Sequence, residues 1–137
     1  MKFYILALLT IFIYACSGSD RTEKNYTQYL FVFYDSTGTD TVAYGNLRFG
    51  SLKQKTEGFY TVYKKNSTLP FSNDTSAVLE GSFDNIKKSL WLNMNPKLAD
   101  NNIFVTAVLL NDIFEGDWMY STMKGIKEKG KFYARKK

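Results

Sequence analysis

Residues 113–135 read IFEGDWMYSTMKGIKEKGKFYAR, and their spacing describes two antiparallel strands folded back on each other. Side chains at i and i+2 share one face of a strand. Gly116, Trp118 and Tyr120 therefore share a face of the first run, and Gly130, Phe132 and Ala134 share a face of the second. The other faces carry Glu115, Asp117 and Met119, and Lys127, Lys129, Lys131 and Arg135. One apolar face and one charged face are what a half-solvated antiparallel pair requires. Taking Gly125 as the centre of the turn pairs Trp118 with Phe132, Gly116 with Ala134, Glu115 with Arg135 and Met119 with Lys131.

Working outward, the same short element recurs along the chain. Glycine is followed two residues later by a large apolar residue at Gly45/Leu47, Gly58/Tyr60, Gly81/Phe83, Gly116/Trp118 and Gly130/Phe132. A glycine inside a strand weakens packing, so it marks a bend, a bulge or a close approach of another backbone. Five at matching offsets fit strands coiling around a closed sheet. Aromatic and β-branched runs separated by Gly, Asn, Asp and Ser clusters place strands near 26–34, 41–49, 57–64, 76–83, 88–94, 102–110, 113–121 and 127–135. Asp35–Asp40 and Asp84-Asn85 are turn clusters, Pro70 falls in a long loop over 65–75, and Pro96–Asn101 has room for a single helical turn. The expected fold is all-β, an antiparallel up-and-down meander of about eight strands closing into a small barrel, with a β-sandwich as the alternative.

Gly-x-aromatic strands in a meander over roughly 26–135 resemble the calycin group, the lipocalin-like and avidin-like small barrels. The Gly-x-Trp signature that lipocalins carry near their first strand is missing there. Gly116-Asp117-Trp118 stands in the seventh strand instead, so no ligand residues transfer from that family.

The chain opens MKFYILALLTIFIYACSGSD. Lys2 is followed by an uncharged apolar run from Phe3 to Ala15, shorter than the roughly 20 residues that span a bilayer and of the length of a signal-peptide core. It ends in Ile13-Tyr14-Ala15-Cys16, which resembles the lipobox of bacterial lipoprotein precursors, an aliphatic residue, a tolerant position, a small residue and cysteine. The resemblance implies a signal peptide over 1–15, acylation (palmitate or a similar chain) on Cys16, a polar tether over 16–25 and a barrel domain over 26–137. It also implies residence in the cell envelope, lipid-anchored, and Ser17 in place of aspartate points to the outer membrane. Cys16 is the only cysteine, so lipidation would leave no thiol for a disulfide.

Chemistry is thin. The chain has no histidine, which removes histidine acid–base work, His-activated nucleophiles and His-ligated metals. With the thiol acylated, thiolate chemistry goes too. Asp112, Glu115 and Asp117 lack calcium-loop spacing. A glycosidase carboxylate pair needs a cleft between its two groups, and Glu115 and Asp117, on the outer face beside basic residues of the next strand, read as surface ion pairing instead. The residues thus read as non-enzymatic, with no cofactor, no metal and, given the compartment, no nucleic acid. The late lysines, alternating along a strand, read as a solvated face within a net charge of +5. Aromatics make up 17% of the chain. Tyr60, Phe83, Trp118, Tyr120 and Phe132 are the candidate ligand-binding residues, expected to point inward either around a small apolar or sugar-like ligand or simply to fill the barrel. Two segments, 29–34 and 103–110, are apolar on both faces, so their outer sides need cover from the tether, the 65–75 loop or a protein partner. The expected function is a membrane-anchored envelope lipoprotein that binds a small ligand or a protein. The alternative is a solid-core structural or inhibitory lipoprotein acting through its surface.

Overall fold

A computed structural model describes residues 25–66 and 68–137. Eight strands follow in chain order: β1 (Thr27–Tyr34), β2 (Thr41–Phe49), β3 (Thr56–Lys65), β4 (Ala77–Asp84), β5 (Ser89–Asn93), β6 (Asn102–Leu110), β7 (Ile113–Thr122) and β8 (Gly125–Lys136). Each pairs antiparallel with the next, and β8 pairs back onto β1 to close the barrel. The architecture is that of an up-and-down barrel, compatible with calycin-like folds. No helix occurs among the described residues, and Pro96 and Lys97 form a turn closed by a hydrogen bond from Leu98 N to Asn95 O.

The alternation read from sequence determines which side chains enter. Odd residues of β1 and even residues of β7 and β8 face inward, and Phe31, Phe33, Phe114, Trp118 and Phe132 are all buried. The strand glycines explain how so many rings fit. Gly45 lies opposite Phe31, Gly58 opposite Phe49, Gly81 opposite Leu92, Gly116 opposite Phe132 and Gly130 opposite Trp118. A β-carbon at any of these five glycines would run into a neighbouring strand's backbone carbonyl. Small opposite large is how the narrow interior of a coiled barrel is filled.

That rule corrects the register expected for the final hairpin. Gly125 is not the centre of the turn. It has φ 103° and pairs with Thr122 as the first residue of β8, leaving Met123 and Lys124 as the two-residue connection. The strands are displaced by two residues from the expected pairing, with Trp118 opposite Gly130, Gly116 opposite Phe132, Asp117 opposite Lys131, Glu115 opposite Tyr133 and Met119 opposite Lys129. An even shift keeps each side chain on its face, so the inward set survives while its partners change. Facing Trp118 with Phe132 would have put two large rings opposite each other, and each takes a glycine instead.

The 65–75 loop is the second correction. It does not cover the outer wall. Its Leu69 and Phe71 are buried, and the Phe71 ring packs on Phe33 (centroids 5.5 Å apart), Tyr60 (6.0 Å) and Phe31 (6.5 Å). All three are inward-facing, so the loop folds into the barrel mouth as a plug. The outer sides of β1 and β6 are covered only in part, by neighbouring rings. Tyr34 meets Tyr133 edge-on, and Trp91 points outward and stacks on Phe104 at 5.8 Å. Leu30, Val108 and Leu110 stay exposed.

Candidate functional site

The plugged mouth is the most elaborate part of the molecule. It is built from the ends of β1, β3 and β7 and from the loops after β1, β3 and β5. Trp118 stacks on Phe33 at 5.1 Å with the rings 9° apart. Its Nε1–H donates to the Tyr34 carbonyl at 2.7 Å. β1 and β7 are not neighbours, because β8 lies between them. The indole reaches across because Gly130, opposite it on β8, has no side chain in the way. Phe132 meets the same Phe33 edge-on at 5.6 Å.

Asn95 holds the plug. It is buried, its Oδ1 accepts from the Tyr60 hydroxyl at 3.1 Å, and its Nδ2 donates to the Pro70 and Asn101 carbonyls, both at 2.9 Å. The Tyr60 hydroxyl accepts from Ser72 N at 3.3 Å, and Lys65 Nζ donates to the Phe71 carbonyl at 3.0 Å. Side chains thereby satisfy the Pro70 and Phe71 carbonyls and the Ser72 N–H, which lie outside the strand ladders. Burial pushes the Tyr60 hydroxyl pKa above its usual value, with Asp74 adding to the shift and the Ser72 hydrogen bond opposing it. Outside the plug, a groove of about 420 Å³ runs between it and the β5–β6 loop, with Tyr60, Ser72, Asp74, Asn95, Lys97 and Leu98 on its walls.

The structure divides the five candidate aromatics. Tyr60, Trp118 and Phe132 belong to the mouth cluster, joined through Phe33 and Phe71. Phe83 lies toward the other end, edge-on to Phe114 at 6.1 Å. Tyr120 is only partly buried, at the rim, and its hydroxyl donates to Asn101 Oδ1 at 2.8 Å. The five do not line one common space. Sequence reasoning missed Leu69, Phe71 and Asn95. The signal for the first two was there, two large apolar residues flanking Pro70 in the otherwise polar loop NSTLPFSND. Nothing in the sequence singles out Asn95 from its neighbours.

The wall carries little that is arranged for chemistry. Lys131 and Asp117 form an ion pair at 2.8 Å, each about half exposed, and Lys131 is held protonated above its usual range by that hydrogen bond. Among the described residues no three or more acidic or cysteine side chains converge as a metal ion would need. Cys16 and the other residues before Asn25, over which a signal peptide and tether are expected, lie outside the described residues. The chain matches no protein-family model, no curated protein and no solved structure.

Proposed function

We propose that this chain is a non-enzymatic envelope lipoprotein with a solid-core, calycin-like barrel, anchored through lipid on Cys16 and acting through its surface on a protein or membrane partner. The observation that favours a surface role is the plug. Leu69 and Phe71 fill the mouth through which a ligand of the barrel interior would enter. The interior itself is occupied by rings such as Phe31, Phe33, Trp118 and Phe132, each at most 1% exposed. An eight-stranded barrel is wide enough either to be filled or to hold one small ligand, and these side chains favour the filled state. The lipobox-like Ile13-Tyr14-Ala15-Cys16 carries the anchoring half of the reading.

Native mass spectrometry of protein purified from membranes tests both halves. The expected spectrum is the chain from Cys16 plus acyl mass, with no further small molecule. A stoichiometric apolar or sugar-like adduct would overturn the solid-core reading. In parallel, Cys16→Ser should move the protein out of the membrane fraction, and wild type found soluble would overturn the anchor. A small-ligand role retains one specific support, the groove beside Asn95 and Tyr60, where both polar and apolar groups are within reach of a bound molecule.

A further inference from the structure

We propose that the end of the barrel from which the N-terminal segment leaves is a docking face for an anionic lipid surface. The inference rests on the lipid anchor proposed above, and its test separates the two. Barrel closure collects at this end the start of β1, the β2–β3 loop, the β4–β5 and β6–β7 turns and the end of β8. Those segments bring together six lysines, Lys53 and Lys55, Lys87 and Lys88, Lys136 and Lys137, from parts of the chain far apart in sequence.

The carboxylates at the same end are Glu57, Glu80 opposite it on β4, Asp84 and Asp112, and two of them are already engaged. Glu57 pairs with Lys55 at 3.1 Å, and Asp84 accepts the backbone N–H groups of Ile86 and Lys87 at 2.8 and 2.9 Å. The plugged end shows no such excess. Asp35, Asp40, Asp74, Asp100 and Glu128 there match Lys64, Lys65, Lys97, Lys124 and Lys127 in number, and Lys65 is turned onto the Phe71 carbonyl. The barrel is therefore polarised, with its positive excess at the tether end.

Two further observations commit the face to a bilayer. Ile86, at the tip of the β4–β5 turn beside Lys87 and Lys88, is 94% exposed. An apolar side chain held outward among ammonium groups suits the headgroup boundary, where the chain can enter and the cations can meet phosphates. The second is chain length. Ten residues separate Cys16 from Thr27, a span of at most about 35 Å. Strands of this length, tilted as barrels require, stand roughly 20–30 Å tall. The plugged end could meet the membrane only with the tether drawn back along the wall almost fully extended. The tether end lies by default within reach of the surface potential, which decays over about 8–10 Å. Each lysine brought there strengthens binding about fivefold.

The wild-type protein as the cell makes it is placed on vesicles of phosphatidylcholine alone and of phosphatidylcholine with about 30% phosphatidylglycerol. Flotation with the uncharged vesicles reads the anchor alone, and hydrogen exchange reads docking. Expected on the anionic vesicles is protection of 50–55 and 84–88 that is absent on the uncharged ones and disappears at about 0.5 M salt. The triple variant Lys53→Gln, Lys87→Gln, Lys136→Gln should lose that protection and still float. No protection on anionic vesicles overturns the proposal. So does protection at the opposite end, where Met123 and Ile126 flank Lys124 and are also exposed. If the wild type fails to float with uncharged vesicles, the anchor reading falls by itself. Docking is then decided by the anionic vesicles, where flotation abolished by the triple variant supports it and no flotation overturns it.

Discussion

The two ends of the barrel are closed by different means. At the tether end the seal is made mainly by strand residues, Tyr29 packing on Phe49 and Phe114, and Phe83 meeting Phe114 edge-on, with Leu52 of the β2–β3 loop packed partly buried against the same core. At the far end the strands supply Phe33, Tyr60, Trp118 and Phe132, and a loop inserts Leu69 and Phe71 among them. A strand seal needs only the period-2 alternation, because backbone hydrogen bonding is already satisfied by the sheet. A loop seal needs apolar anchors together with side-chain partners for its own backbone, which here are Asn95, Tyr60 and Lys65. The first kind of closure follows from pattern. The second depends on residues distant in sequence meeting with the right donors and acceptors.

The sharpest way to break the far end is Trp118→Ala. It deletes a buried ring, its stack on Phe33 and the hydrogen bond to Tyr34. The expected loss is about 3–5 kcal/mol, read from urea melts. Gly116→Ala attacks the wall between the ends. The new methyl would overlap the Thr106 carbonyl and lie 2.6 Å from the Ala107 α-carbon, so neighbouring backbone must give. Overpacking of this kind costs about 1–3 kcal/mol or more, whereas alanine at an unconstrained strand glycine stabilises. A stabilised variant would refute the close-approach role of the repeat.

Asn95→Ala discriminates the two seals most directly. It leaves the Pro70 carbonyl without its donor and the Tyr60 hydroxyl without its acceptor, at about 1–3 kcal/mol. Hydrogen exchange should then speed up in the plug, at 68–76, while 27–31 and 83–90 at the tether end keep their protection. Uniform loss would mean that the plug is part of the global unit and not a local closure.

Alkaline pH is a gentler probe. Burial raises the hydroxyl pKa of Tyr60 at the far end, and that of Tyr29 at the tether end, where Asp112 adds to the shift. The folded state thus holds protons that the unfolded chain releases near pH 10 or so. Stability is intact below that pH and declines as pH rises above it. Tyr60→Phe should flatten the decline seen in melts above pH 10 or so, and an unchanged slope would remove Tyr60 from the account. The smallest effect belongs to Asp117→Ala. Its ion pair with Lys131 is half exposed, so the cost should stay under about 1 kcal/mol. A cost above that of Asn95→Ala would show that the wall carries stability assigned here to the ends.

Much of this architecture is legible in the sequence for a simple reason. Alternation is local, and a two-faced strand must place its apolar set inward wherever it pairs. Strand positions, the all-β meander and the burial of Tyr60, Phe83, Trp118 and Phe132 follow from it. Register is less local. Reading Gly125 as the turn centre is reasonable chemistry, but the hairpin is decided by fitting Trp118 over Gly130 and Phe132 over Gly116. Trp91 illustrates the limit of pattern alone, since Leu90 and Leu92 on either side of it are also apolar and the sequence gives no face to choose.

By itself, the sequence determined the class of fold, the inward faces and the small residues that let the sheet coil, because these depend on residues two apart in one chain segment. It also carried every motif pointing to a lipid anchor, since such signals are read linearly. Only the tertiary structure decided that residues 68–71 enter the barrel instead of covering its wall. The choice depends on an open mouth lined by Phe31, Phe33 and Tyr60 and on Asn95 arriving from the β5–β6 loop. The up-and-down order places Lys53, Lys87 and Lys136 at one end, and only closure of β8 onto β1 draws that row into a single face. Long-range pairing converts residues with no sequence relation into neighbours, and no local pattern encodes that proximity.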